Sequence, residues 1–160
     1  MDGWAPRHPA IAALLASGER AATDDLTWGD GEYHCRLDSY ASPAELPDDF
    51  VGSVRCLVLV DDRIVVCTNA DGKSHPWPGG RREPGESYVE TGCREVHEET
   101  GWLLDPASLR QIGWLHFEHL LARPAMHRWD HADFLMTVYV GTAAGTTTGP
   151  TPRATSCRRC

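Results

Sequence analysis

Apolar positions along this chain fall into short blocks of two periods, and the blocks predict its elements. Ile11, Leu14 and Leu15 stand at i, i+3 and i+4 behind Pro9, and Gly18 closes the run. Pro9 to Gly18 is therefore predicted as a short amphipathic helix. Leu26 to Trp28 and Tyr33 to Leu37 alternate around Gly29-Asp30-Gly31 and predict a hairpin. Ser42 to Asp49, rich in proline and acid, reads as a linker. Val54 to Val60 and Ile64 to Cys67 are β-branched-rich runs separated by Asp61-Asp62-Arg63, which predicts a second hairpin. A turn-rich entry from Trp77 to Gly85 leads into a helix over Ser87 to Thr100, with Ser87 and Glu90 in capping-box relation and Gly101 as terminator. Leu109 to Leu121 and Asp133 to Val140 predict two further strands. This order, with few crossover helices, favours a mixed α+β or α/β/α sandwich over a doubly wound fold.

Composition narrows the function classes. The chain has 160 residues, 41% hydrophobic and 24% charged, which suits one globular domain with a proper core. A net charge of −8 argues against broad binding to nucleic acid or anionic membrane. It leaves room for a small phosphorylated ligand, because a bound divalent ion inverts the local field. The longest apolar stretches, such as Cys56 to Val60, are far short of a membrane span. No basic start followed by an apolar run marks an export signal, so a cytoplasmic protein with free thiols is expected.

The helix over Ser87 to Thr100 carries the candidate chemistry. Val89, Cys93, Val96 and Thr100 form an apolar stripe. Glu95, Glu98 and Glu99 fall on the opposite side with Thr91. Like charges at i,i+3 and i,i+4 destabilise a helix by roughly 0.2–0.5 kcal/mol per pair, a cost that a bound cation would offset. Oxygen ligands of this kind suit Mg²⁺ or Mn²⁺. Taken alone, the three glutamates fit a solvated acidic face at least as well. The surrounding residues reverse that balance.

Gly80, Glu86 and then Arg94-Glu95-Val96-His97-Glu98-Glu99-Thr100-Gly101-Trp102 occupy one register of 23 residues. This segment resembles the signature of the Nudix (MutT-like) hydrolases, G-x5-E-x7-R-E-U-x-E-E-x-G-U with U apolar, at every position. The departures are small: Trp77 stands where the family often has Leu, and Trp102 is bulkier than the usual aliphatic residue. The resemblance implies an α/β/α sandwich with a mixed sheet. It implies that Glu95, Glu98 and Glu99 ligate Mg²⁺ or Mn²⁺, with the Gly79 carbonyl as a further ligand. Glu95 or Glu99 would deprotonate water, Arg94 would hold Glu95, and Glu86 would complete or orient the acidic site. The implied reaction is hydrolysis of the diphosphate linkage of a nucleoside diphosphate derivative. A module that binds a nucleotide without turning it over is the alternative, which the full carboxylate set disfavours.

On this reading residues 1–50 are an N-terminal helix and hairpin extension, 51–141 the Nudix domain and 142–160 a disordered tail. Thr142 to Cys160 contains no Leu, Ile, Val, Met, Phe or Trp, so no second C-terminal helix is expected. The Pro9–Gly18 helix, or the partner subunit of a homodimer, is then expected to cover the sheet face that such a helix would close. Glu118, Asp130 and Asp133 are the acids available as a downstream base, and nothing in the sequence selects among them. His116 with His119 and His127 with His131 lack cysteines at zinc spacing and read as ordinary histidines. Cys157-Arg-Arg-Cys160 is a lone pair of weak significance. Trp28, Trp77, Trp114 and Trp129 include candidates for a base-stacking platform, with core packing the default.

Overall fold

The computed structural model describes residues 3–28, 31, 33–68, 72, 74–123 and 130–146. In chain order the elements are α1 (Pro9–Ser17), β1 (Ala22–Trp28), β2 (Tyr33–Tyr40), a 3₁₀ turn (Asp48–Phe50), β3 (Val51–Val60), β4 (Arg63–Ile64), β5 (Cys67–Thr68), β6 (Ser74–His75), α2 (Tyr88–Thr100), β7 (Trp102–Leu104), a second 3₁₀ turn (Pro106–Ser108), β8 (Arg110–His119) and β9 (Asp133–Thr146). The fold is α+β with a mixed sheet, and among the described residues two α-helices are present, neither of them after β9.

The chain divides into two compact units. One holds Met1–Gly52 with Gly113–Met136, the other Ser53–Ile112 with Thr137–Cys160. In the first unit β1 pairs antiparallel with β2 from Ala22↔Ser39 to Trp28↔Tyr33, and β2 pairs with β8 from Cys35↔His119 to Tyr40↔Trp114. The predicted hairpin is thus present and longer than the apolar alternation, because strand pairing continues through polar residues. Its turn at Gly29-Asp30 lies outside the described residues. The helix α1 starts on a His8 cap whose Nδ1 accepts from the Ala10 amide at 3.2 Å, and it buries Ile11 completely. At its C-terminus Gly18 lies so close to the Tyr40 ring that an added Cβ would sit 2.9 Å from it and 3.3 Å from Trp114. The glycine lets the helix end rest on β2 and β8. Tyr40 and Trp114 are stacked with centroids 3.7 Å apart, so Trp114 is a core residue of this unit.

In the second unit the core is built from Val54, Cys56 and Val58 of β3, Val96 of α2, Leu104 and Leu109. The hairpin after Val60 turns on Asp61 at φ 52°, a left-handed conformation that a short Asp side chain tolerates. Its return strand is shorter than the Ile64–Cys67 run predicts. β4 spans two residues, Ile64 and Val66 are about half exposed, and Cys67–Thr68 pairs instead with Ser74–His75. The Val65 amide still donates to the Val58 carbonyl at 3.0 Å, but beyond it Val66 is exposed and Cys67 pairs elsewhere, so the ladder on β3 ends early.

The end of β9 departs further from the sequence pattern. It runs on through Gly141 to Thr146, where Leu104, Leu103 and Trp102 of β7 pair with Ala143, Gly145 and Thr146. A β-ladder uses backbone N–H and C=O groups and needs no apolar side chains. The small residues that preclude a helical face therefore do not preclude a strand. The remainder of the 142–160 segment, with Cys157 and Cys160, lies outside the described residues. No helix is long and apolar enough to cross a membrane among the described residues.

Candidate active site

The acidic helix is placed by its two ends and by one glycine. Ser87 Oγ accepts from the Glu90 amide, while the Glu90 carboxylate accepts from the Ser87 amide at 2.8 Å, so the predicted capping box is complete. Gly101, at φ 73°, closes the helix as a left-handed cap. Gly92 faces β3, where a Cβ would lie 2.9 Å from the Cys56 sulfur, and this fixes a close approach of helix to strand.

The loop before the helix binds β3 by its backbone. The Cys56 amide donates to the Pro78 carbonyl at 2.9 Å and the Val54 amide to the Gly80 carbonyl at 3.0 Å. Gly79 adopts φ 145°, and a Cβ there would collide with the Val54 carbonyl, so only glycine fits. A Cβ on Gly80 would occupy the space of the Glu95 carboxylate. The two glycines thus let loop backbone, β3 and the glutamates meet in one place.

Arg94 organises the carboxylates. Its Nε donates to Glu86 Oε1 at 2.6 Å and its Nη2 to Glu86 Oε2 at 2.9 Å, a bidentate pair. Nη1 donates to Glu95 Oε1 at 2.7 Å and reaches Glu98 Oε2 at 3.4 Å. Nη2 also donates to the Arg81 carbonyl at 3.0 Å. Glu86 further accepts from the Glu83 amide at 3.0 Å and the Thr91 hydroxyl at 2.9 Å. The Arg94 fork, with these donors, holds the Glu86 carboxyl down to about 2. The same partners raise the Arg94 pKa further above its ordinary value. Glu99 Oε2 accepts from the Gly79 amide at 3.0 Å, joining the helix to the loop.

Glu95 behaves differently. Burial pushes its carboxyl up, Arg94 pulls it down, and the charges of Glu99 and Glu98 push it up again, leaving it above the ordinary range. A half-buried carboxylate beside two more, raised in pKa despite a bound guanidinium, has uncompensated negative charge, which is the condition a divalent cation relieves. The donor set of Glu95, Glu98 and Glu99 fits a hard ion in chemistry. As the side chains stand, no three metal-ligating groups converge among the described residues, and Glu98 is 58% exposed. The Gly79 carbonyl accepts a short hydrogen bond from Arg55 Nη1, so a guanidinium already faces the oxygen expected to be a further ligand. Arg55 is the residue sequence reasoning missed. Its signal was a lone cation inside the apolar run of β3.

The other candidate acids and histidines lie in the first unit. Asp133 accepts from Arg7 Nε at 2.9 Å and contacts His116 Nε2 at 2.7 Å. Glu118 is paired with Arg7 at 2.8 Å and with Arg36. Asp130 is paired with Arg123 at 2.6 Å. Each has a structural partner. The buried His119 stacks on Trp4, and its Nδ1 lies 3.4 Å from Cys35 Sγ. His131 Nδ1 lies 2.8 Å from the Pro6 carbonyl. His127 and Trp129 lie outside the described residues, as does the Trp28 side chain, and Trp77 is 40% exposed. Cys35, Cys56, Cys67 and Cys93 are free thiols, and burial pushes the Cys56 thiol up to about 12, so it stays protonated and inert.

A NUDIX domain model matches residues 49–158, and this chain belongs to that family. Over 52 residues it is 48% identical to the 8-oxo-dGDP phosphatase NUDT18 of Mus musculus, a match that covers 29% of this chain and only 16% of that protein. The fold is similar to the Bacillus subtilis pyrophosphohydrolase BsRppH, with a TM-score of 0.56 at 16% identity over 80% of this chain and 70% of that one. A NUDIX hydrolase from Nitrosomonas europaea aligns with a TM-score of 0.46 at 21% identity, over 67% and 66% of the two chains.

Proposed function

We propose that this protein is a Mg²⁺- or Mn²⁺-dependent hydrolase that cleaves the diphosphate linkage of a nucleoside diphosphate derivative. The observation that carries this reading is the Arg94 fork, which fixes Glu86 and Glu95 in one cluster while Glu99 is tied to the Gly79 amide. Glu95, Glu98 and Glu99 would hold the ion. When bound, a divalent ion screens phosphate charge and lowers the pKa of water, which reconciles an anionic substrate with an acidic protein.

The chain's own groups supply positioning and proton transfer. Glu95 or Glu99 takes the proton of the attacking water. Arg94 is a positioning residue that fixes the Glu95 carboxylate. Glu86 acts through Arg94. The Gly79–Gly80 turn keeps side-chain atoms out of the space beside Glu95. We place this activity in the cytoplasm, on a small-molecule substrate.

The test is turnover of a panel of nucleoside di- and triphosphates, 8-oxo-dGDP, nucleotide sugars, ADP-ribose and dinucleoside polyphosphates with Mg²⁺, measured as phosphate-containing products. Glu99→Gln should lose at least about 10²-fold in kcat. Mn²⁺ titration followed by electron paramagnetic resonance should show binding that weakens in Glu98→Gln, independently of turnover. Nucleotide binding with no turnover of any member would instead establish the non-catalytic module. Size exclusion of the same samples reports whether a homodimer forms.

A further inference from the structure

The first unit contains a cluster of charge of its own. A cavity of about 350 Å³ is walled by Arg7, Arg20, Arg36, Asp38, Tyr40 and His116. Leu15 and Gly18 at the end of α1 complete it. Seven of these eight residues precede position 49, where the family match begins.

The charge of the walls is opposite to that of the protein. Three guanidiniums face one carboxylate, Asp38, in a chain whose net charge is −8. Glu118 and Asp133 do not line the cavity and serve to hold its walls. Glu118 pairs with Arg7 and Arg36, and Asp133 pairs with Arg7 and His116. Arg20 makes a long 3.4 Å contact with Asp38 and its side chain is 55% exposed, which leaves most of its donors available.

Two nitrogens at this site are buried with no hydrogen-bond partner: Arg36 Nε and His116 Nδ1. Both stand 3.8 Å from the same atom, Asp38 Oδ2. His116 is 1% exposed; its Nε2 contacts Asp133 at 2.7 Å, which leaves Nδ1 as the ring nitrogen without a partner. Burial pushes the Asp38 carboxyl up, but the Thr23 hydroxyl at 2.6 Å and the charges of Arg20 and Arg36 hold it below its ordinary value. It is therefore an acceptor. A buried polar group without a partner is destabilising, and a ligand that satisfies it binds correspondingly well.

We infer that this cavity is a binding site for a small phosphate monoester that carries a hydroxyl group. The phosphate oxygens meet the guanidinium donors of Arg7, Arg20 and Arg36. The hydroxyl donates its one hydrogen to Asp38 Oδ2, beside His116 Nδ1. The site is metal-independent, because its cations are fixed side chains. It stands apart from the proposed hydrolase reading and does not rest on it.

Isothermal titration of the full chain in EDTA, with glycerol phosphate, inorganic phosphate and glycerol as separate probes, tests this. Glycerol phosphate is expected to bind more tightly than inorganic phosphate, and glycerol not at all. Arg20→Gln, at an exposed side chain, should keep the melting temperature and weaken glycerol phosphate about tenfold. Arg20→Lys should recover part of the loss. In parallel, the His116 ring resonances, assigned by their loss in His116→Asn, should shift on adding glycerol phosphate. Absence of binding by either phosphate probe would overturn the inference, as would equal affinity for the two. So would unmoved His116 resonances, or binding that survives Arg20→Gln and is lost in Glu99→Gln.

Discussion

Replacing Arg94 by lysine keeps the charge and removes the fork. Arg94 donates to both oxygens of Glu86, to Glu95 and to the Arg81 carbonyl. An ammonium on a flexible stem reaches one of these carboxylates at a time. Two charge-assisted bonds, each worth about 1.5–3 kcal/mol, are then lost. The retained charge and renewed hydration of Glu86 offset part of this, which leaves a net loss of about 2–3 kcal/mol. For a chain of this size that lowers Tm by about 4–12 °C.

The pH dependence identifies the cause. Glu86 is held at about 2 in the folded protein, below its unfolded value of about 4.3. Its stabilisation is fully present above the unfolded value and is lost as pH falls from there through 2. The gap between wild type and Arg94→Lys, measured by urea unfolding with circular dichroism, should therefore be full at neutral pH and shrink across that window. In turnover, kcat should drop about 10²-fold with little change in KM, since Glu95 loses its anchor and no ligand contact is removed. A gap under about 0.5 kcal/mol at neutral pH, or one that is unchanged on acidification, would refute the argument.

Three further changes probe other parts of the structure. Gly80→Ala puts a Cβ where the Glu95 carboxylate sits; because that carboxylate end can shift, stability should fall by only about 1 kcal/mol while turnover falls about 10²-fold, as thermal melts and initial rates will show. Asp133→Asn breaks the buried contact with His116 and Arg7 and should destabilise by about 3 kcal/mol in chemical unfolding. Burial raises the Asp133 carboxyl, but His116 and Arg7 hold it below its ordinary value, so this difference should be full above about 3.9 and be lost as pH falls from there through the lower folded value. Removing residues 1–20 deletes the buried Ile11 and the Arg7 pairs with Glu118 and Asp133; Tm should drop by at least about 10 °C, and an unchanged midpoint would show that α1 is dispensable.

Much of the acidic site was legible in the sequence because it is local. The capping box, the left-handed Gly101 and the face shared by Glu95, Glu98 and Glu99 follow from spacing along one helix. Gly80, Glu86 and Arg94 could be placed from one register of residues. The strands of β1, β2, β3 and β8 were legible for the same reason, as alternating or β-branched runs. The early end of β4 and the extension of β9 past Val140 were not, since both depend on whether a partner strand or a packed face is available, and composition does not report that.

The sequence by itself determined the acidic helix, its caps and the carboxylates gathered on it, because those rest on contacts within about a dozen positions. Only the tertiary structure decided that Arg55 of β3 turns to the Gly79 carbonyl and that Gly80 makes room for Glu95. Only it joined Arg7, Arg20 and Arg36 to Asp38 and His116 around one cavity. These residues are up to 109 positions apart (His116 less Arg7), and no periodicity links them. Their meeting is set by strand register and by where α1 comes to rest, which are properties of the folded chain.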